Sequence, residues 1–333
     1  MSLLIQTSPV LLRTETFEIK LATTFAELDA AMRLRFEVFN LEMQEGLLSS
    51  WERGYDTDAY DAYCDHLIAK DLAGNKVVGT YRLLRQSSAR RNIGFYSENE
   101  FDLTRLKGLP DGLMELGRSC VAHSHRSSGV IAHLWGAIVE YARRHDTRYL
   151  FGCASLHCSE PREVGHLWDY LRDHHLAPGR YRVDPVTRCR METSEEAPSG
   201  YDPREVRRLS PVMKGCLRAG AVVCGPPAYD AEFGTSAVLM LMDLKKKWPT
   251  VTGIITAGSN NGGSRPGDRS PDATPAFPVS LMTTETITTP ETTEIRDDCP
   301  VSDFLIGGLL YSILIRGQDH LDSEEGETDG DQT

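Results

Sequence analysis

Apolar and polar positions alternate from Phe17 to Leu21, the pattern of a strand with one buried face. Thr24-Phe-Ala-Glu27 follows, a capping box that opens a helix. Along that helix Leu28, Ala31, Met32, Val38 and Phe39 fall on one stripe at ~100° per residue, with Asp29, Arg33 and Glu37 facing away. Arg35 projects from the centre of the apolar stripe. A guanidinium there either meets a buried partner or polar cavity, which makes it functional, or snorkels to the helix edge.

Further along, His66–Lys70 and Val77–Arg85 read as two strands joined by a turn containing Gly74-Asn75. Residues 113–122 form another strand and Gly129 to His145 a helix whose apolar stripe is Val130, Ile131, Leu134, Ile138 and Tyr141. The strand Tyr149–Leu156, a short helix from Pro211 and a buried strand Ser236–Asp243 complete the pattern. Alternating elements of both kinds predict a mixed α/β (α+β) body.

The tail breaks this pattern. From Thr250 the chain is rich in Gly, Ser, Thr and Pro and closes on an acidic run, a composition that cannot offset chain entropy and is expected to be disordered. The apolar segment 304–315 within it is too short to span a bilayer. The expected division is an N-terminal extension over 1–14, a body over 15–248 and a tail over 249–333.

Charge sharpens that division. The 333 residues carry a formal net charge of −12, yet residues 250–333 hold four arginines, no lysine and fifteen acidic residues, so −11 belongs to the tail. A body of net −1 is not a nucleic-acid coat, which needs a basic surface. The start lacks the basic and apolar regions of a secretory signal, and no apolar run reaches membrane-spanning length, so a cytoplasmic location is expected. Eight cysteines without a Cys-x-x-Cys are expected to be free thiols, and no pair of His or Cys beside His123-x-His125 has metal-site spacing, so no metal is expected.

The chemistry lies in a strand–loop–helix segment running from Met114 to Val130. Arg126-x-x-Gly129 at a helix start offers backbone N–H groups and a positive dipole end to a phosphate, although a plain basic capping loop has the same sequence. Regular alternation puts Glu115 and Arg118 on opposite faces; a bulge beside Gly117 would turn both to one side and splay the strand from its neighbour.

These residues resemble known families. Arg126-x-x-Gly129 after a bulged strand resembles the pyrophosphate loop of the GCN5-related N-acetyltransferase fold. Leu34-Arg35-Phe36-Glu-Val38-Phe39, Cys64-Asp65-His66-Leu67, Val78-Gly-Thr-Tyr-Arg82, Phe95-Tyr-Ser-Glu-Asn-Glu-Phe-Asp-Leu103, Glu115-Leu-Gly-Arg118-Ser-Cys-Val and Tyr149-Leu-Phe-Gly-Cys-Ala-Ser155 recur in that order in bacterial ornithine Nα-acyltransferases. Leu217-Arg-Ala-Gly220 and Asp230-x-x-Phe-Gly-Thr235 match the C-terminal part of the family, so the resemblance spans about residues 15–245. The Arg35/Asp65/Arg82/Glu115/Arg118 pattern is also similar to acyl-homoserine lactone synthases. Three departures stand out: Ile131 where acetyltransferases carry a small residue, Cys216 where an aromatic is common and Ala237 where an aspartate is common.

The resemblance implies transfer of a (3-hydroxy)acyl chain from acyl carrier protein to the α-amine of ornithine, giving lyso-ornithine lipid, with no tightly bound cofactor and the acyl-phosphopantetheine of the carrier as donor. A different amino-acid acceptor, a homoserine-lactone product or a non-catalytic carrier-binding protein are the alternatives. It implies Glu115 as general base, with Arg118 and Asp65 beside it. Arg35, Arg82, Phe39 and Phe95 are then the substrate-binding residues, and Val121, Arg126, Ser128 and Gly129 hold the phosphopantetheine. Arg35, Asp65, Arg82 and Arg118 are expected to form one buried charge network, around the acceptor cavity or as a purely structural cluster. An acidic carrier protein calls for a basic patch, for which Arg143-Arg144, Arg148 and Lys245–Lys247 are candidates. An amphiphilic product is compatible with transient contact at the inner membrane face.

Overall fold

The computed structural model describes residues 9–46, 48–191, 209–230 and 234–245. The tail, with its apolar segment, lies outside the described residues. A nine-stranded sheet organises the rest: β1 (Val10–Arg13), β2 (Phe17–Leu21), β3 (Asp65–Asp71), β4 (Lys76–Arg85), β5 (Leu113–Val121), β6 (Tyr149–Ser155), β7 (Val222–Val223), β8 (Ala228–Asp230) and β9 (Thr235–Asp243). Its order is β1-β2-β3-β4-β5-β6-β9-β7, with β8 also paired to β9. Neighbours are antiparallel except β5 and β6, which run parallel across the helical connection that such a pair requires. Val10–Arg13, expected outside the body, is the edge strand: Leu11 and Leu12 are buried in the core, so the domain begins before residue 15.

Helix α1 (Phe25–Arg35) starts at the anticipated capping box, Thr24 Oγ1 accepting from Glu27 N and Glu27 reaching back to Thr24 N. Its stripe buries Ala31, Met32, Leu34 and Arg35. The helix does not continue with α-helical period to Phe39. From Phe36 to Glu42 it widens into a π-helix, which changes the angle per residue.

Helix α2 (Gln86–Arg91) and the single turn α3 (Thr104–Lys107) lie on the same side of the sheet as a core of Phe95, Phe101, Leu103, Phe151, Tyr181 and Leu241. The other face carries α4 (Val130–Arg144), α5 (Pro161–His175) and α6 (Pro211–Arg218) over a larger core that includes Leu67, Tyr81, Met114, Leu150 and Met240. No element is predicted over helix α5. Val164, Leu167 and Leu171 nevertheless have the i, i+3, i+7 spacing of a buried stripe, and Pro161 stands at the first turn.

Two irregularities in the middle of the sheet make room for a site. Arg82 pairs with Gly117 and Thr80 with Cys120, so Tyr81 alone faces both Arg118 and Ser119. That is the bulge the sequence suggested, one residue beyond Gly117, and Arg118 takes a left-handed φ of 50° there. Strands β5 and β6 pair only from Leu113–Tyr149 to Glu115–Phe151, whereas β6 stays on β9 as far as Ser155–Ala237. Beyond Glu115 the two parallel strands therefore part. Gly152 lies at the fork: a Cβ there would sit 2.3 Å from the carbonyl oxygen of Leu116.

Candidate functional site

The fork opens into a cavity of about 560 Å³ lined from both faces of the sheet. One arm is apolar: Tyr81 from β4, Ile131 and Trp135 from α4, Met213 from α6 and Met240 from β9. The other is polar, with Arg82, Glu115, Arg118, Tyr96, Glu100 and Asp230. Alternation along β4, β5 and β6 sends Tyr81, Leu116 and Leu150 one way and Arg82, Glu115 and Phe151 the other, which gives the cavity two chemistries.

Glu115 is 5% exposed and fixed by three donors. Tyr96 N donates to Oε2 at 2.8 Å, and Ser97 N and Oγ donate to Oε1 at 2.8 and 2.5 Å. These come from the 3₁₀ turn Tyr96–Asn99, so the turn is anchored on the carboxylate. Burial pushes the Glu115 carboxyl above its ordinary range, against the pull of those hydrogen bonds and of Arg82. An ionised carboxylate has roughly four acceptor positions, so three donors leave it one for a proton in transit.

The bulge brings Arg118 to the same cavity. Its guanidinium lies 5.3 Å from the ring centre of Phe39, another lining residue, and donates from Nη2 to Asp56 at 2.8 Å. Asp56 is fully buried and also accepts from Arg35 Nε at 2.6 Å. Arg35, 1% exposed, then forks onto Asp61 at 2.8 and 3.1 Å. Arg82 donates to Asp58 at 2.6 Å and to Asp61 at 3.1 Å, with the rings of Tyr60 and Tyr96 each 5.8 Å from its guanidinium carbon. Burial alone would weaken the charge of Arg35 and Arg82, but the aspartates outweigh it and hold both above their ordinary values. Asp61 is correspondingly held well below the usual carboxylate range, its own burial outweighed by Arg35 and Arg82.

The network thus exists with different carboxylates from those expected. Asp56, Asp58 and Asp61 supply it. Asp65 points elsewhere, accepting from the Tyr141 hydroxyl and lying 3.4 Å from Arg85. The loop 43–64 lacks any regular apolar period, so nothing in its sequence ranks these aspartates; the buried arginines select among them. Arg35 is outside the cavity and supports it from behind. Phe95 is also outside, its ring edge-on to Phe151 at 5.0 Å in the core beneath the Tyr96–Asn99 turn.

At the other end of β5, Val121 and Arg126 line the cavity, whereas Ser128 and Gly129 stand just outside it. Arg126 is tethered to Glu42, Val121 O and His123 Nδ1. Ser128 Oγ donates to His125 O at 2.7 Å. Gly129 caps α4 at φ 81°, a conformation few side chains tolerate, and no side chain caps the helix start. That arrangement suits a phosphate approaching along the backbone. Cys120 is buried, which pushes its thiol up to about 12 and makes it a poor nucleophile.

The basic runs proposed for a carrier protein are largely neutralised within the chain. Arg143 and Arg144 share Glu140, and Arg148 is clamped between Asp243 and Asp111. Lys246 and Lys247 lie outside the described residues.

A family model described as an acetyltransferase (GNAT) domain matches residues 34–136, the stretch from α1 through the bulge into α4. The chain is 34% identical over 249 residues to an L-ornithine N(alpha)-acyltransferase of Brucella abortus (strain 2308), covering 71% of this chain and 88% of that one. It is 35% identical over 235 residues to an L-ornithine N(alpha)-acyltransferase of Rhodobacter capsulatus, covering 68% and 90%. Among solved structures, the acyl-homoserine lactone synthase LasI aligns at 16% identity with a TM-score of 0.41, over 76% of this chain and 100% of that one.

Proposed function

The chain belongs to the L-ornithine N(alpha)-acyltransferase family, and we propose that its cavity moves a (3-hydroxy)acyl group from acyl carrier protein to the α-amine of ornithine, giving lyso-ornithine lipid. The observation that carries this reading is the two-sided cavity at the fork: an apolar arm suited to an acyl chain joins a charged end suited to an amino acid. A thioester carbonyl lying at the fork would meet both.

In the proposed reaction the α-amine attacks the thioester carbonyl. The C–N bond forms, the C–S bond breaks, and the thiol leaves with the phosphopantetheine. Glu115 accepts the amine proton, directly or through one water, at the acceptor position its three donors leave open. The upward shift makes it a stronger base than an ordinary glutamate. Arg118, pre-oriented by Asp56 and the Phe39 ring, presents its fork toward the acceptor carboxylate. Arg82 holds the wall opposite Gly117 in place. Val121, Arg126 and the start of α4 at Gly129 would receive the phosphopantetheine arm and its phosphate.

The test is to incubate the purified protein with 3-hydroxyacyl carrier protein, or with the matching acyl-coenzyme A, and a panel of amino acids, and to identify the products by mass spectrometry. An N-acyl ornithine made faster from the carrier protein is expected. A lactone, an amide of another amino acid only, or preference for coenzyme A would overturn the corresponding part of the reading. No amide with any acceptor would favour a non-catalytic carrier-binding protein.

A further inference from the structure

Glu100 is a buried group of the cavity that the reaction above does not use. It follows the turn that anchors Glu115, is 3% exposed and lines the polar arm of the cavity. Neither of its carboxyl oxygens has an N–H or O–H donor within hydrogen-bond reach among the described residues. The thiol of Cys153 is beside it, and Asp230, which lines the same arm and accepts from Tyr96 Oη at 3.1 Å, adds further negative character. Burial, then Asp230 and Glu115, push the Glu100 carboxyl up to about 8. Buried polar atoms normally find partners, and a carboxyl left without one in a cavity fits a partner that arrives with the substrate.

The two ends of the polar arm differ in sign. Arg82 and Arg118 lie toward β4 and β5, while Glu100 and Asp230 lie toward β6 and β8. An α-amino acid with a neutral side chain offers a carboxylate to the first end and nothing to the second. One with a cationic side chain offers both charges, and an ammonium has three donors to place. We propose that Glu100, assisted by Asp230, receives the positively charged side-chain amine of the acceptor and so sets the preference for a basic amino acid. This rests on the acyltransferase reading above and adds a specificity residue to it.

The test compares ornithine with norvaline, which has the same carbon skeleton without the side-chain amine. Steady-state kinetics are measured for the wild type, Glu100→Gln and Asp230→Asn with the same acyl carrier protein donor. The wild type is expected to favour ornithine in kcat/KM, and Glu100→Gln to shrink that preference at least roughly tenfold, chiefly through KM for ornithine. Asp230→Asn should shift it in the same direction, and it keeps the proposal testable if Glu100→Gln does not fold. A preference that survives in whichever variants fold would overturn the proposal. If the wild type acylates norvaline as well as ornithine, the proposal fails while the acyltransferase reading stands. If it acylates neither, the acyltransferase reading itself fails, and that is seen before any variant is compared.

Discussion

Asp56 joins a buried arginine to a cavity arginine: it accepts from Arg35 Nε at 2.6 Å and from Arg118 Nη2 at 2.8 Å, and is itself fully buried. Arg35 belongs to the scaffold and Arg118 to the site, so this single carboxylate transmits the position of α1 to the bulge of β5. Removing it would leave two guanidinium groups close together and short of a counter-charge.

Asp56→Asn is therefore expected to cost about 3–5 kcal/mol of stability, the usual penalty for stranding a buried charge. Urea unfolding measures it. Combining Asp56→Asn with Arg35→Met should recover part of the loss, because the stranded charge then disappears as well. A loss below ~1 kcal/mol would mean that solvent or other partners neutralise the arginines.

Glu115→Gln tests the proposed general base. Glutamine keeps the shape but gives up one accepting oxygen, so the Tyr96–Asn99 turn should loosen by roughly 1–3 kcal/mol. Turnover should fall by at least ~10²-fold with the fold retained by circular dichroism. Near-normal kcat would remove Glu115 from the mechanism.

The pH dependence has a definite sign. Glu115 must be ionised to accept a proton and its carboxyl lies above its ordinary range, so kcat/KM should rise with pH along an acid limb displaced upward from free glutamate. That limb should vanish in Glu115→Gln.

Glu100 predicts the opposite trend for stability. Its carboxyl sits at about 8 in the folded protein against an ordinary 4.5, among Asp230, Cys153, Glu115 and Tyr96. Between those values the folded state holds the proton more firmly than the unfolded one, so this group's contribution to stability is lost as pH rises from about 4.5 to 8. Glu100→Gln should raise Tm more at pH 8 than at pH 5; equal shifts at both would show that the carboxyl is not perturbed.

Geometry at the fork is tested by Gly152→Ala. The added methyl would meet the Leu116 carbonyl, and backbone rather than a flexible side chain would have to move. A loss of about 1–3 kcal/mol is expected, with reduced turnover as β5 and β6 are forced to new positions. In the apolar arm, Met213→Trp should shift preference toward shorter acyl chains, measured by competition between long and short acyl carrier protein donors.

Much of this was readable along the chain because it is local. The capping box at Thr24, the strands β2 to β6 and β9, and Gly129 at the start of α4 all follow from near-neighbour rules. Even the bulge was legible, since Glu115 and Arg118 have the wrong parity for one face and a glycine between them. Arg35 in an apolar stripe left a buried partner or a snorkelling side chain open, and the structure shows the buried partner. The partner's identity was a different matter. Asp56, Asp58, Asp61 and Asp65 look alike in sequence, and only the closing of an aperiodic loop over two buried guanidinium groups separates the three that pair from the one that does not. The family resemblance puts Phe95 among the substrate-binding residues, yet its ring packs edge-on against Phe151 in the core.

Sequence by itself thus determined β2 to β6, β9, α1, α4 and the short helix from Pro211, the near-neutral body and acidic tail, and the residue types that line the cavity, because propensity, capping and period act over a few residues. The tertiary structure alone decided where β5 and β6 part, which carboxylates neutralise the arginines, and that Glu100 is buried with no N–H or O–H donor among the described residues. Each of those depends on desolvation and on distances between residues far apart in the chain, and Coulomb energy in a low-dielectric interior is set by those distances and not by order along the sequence.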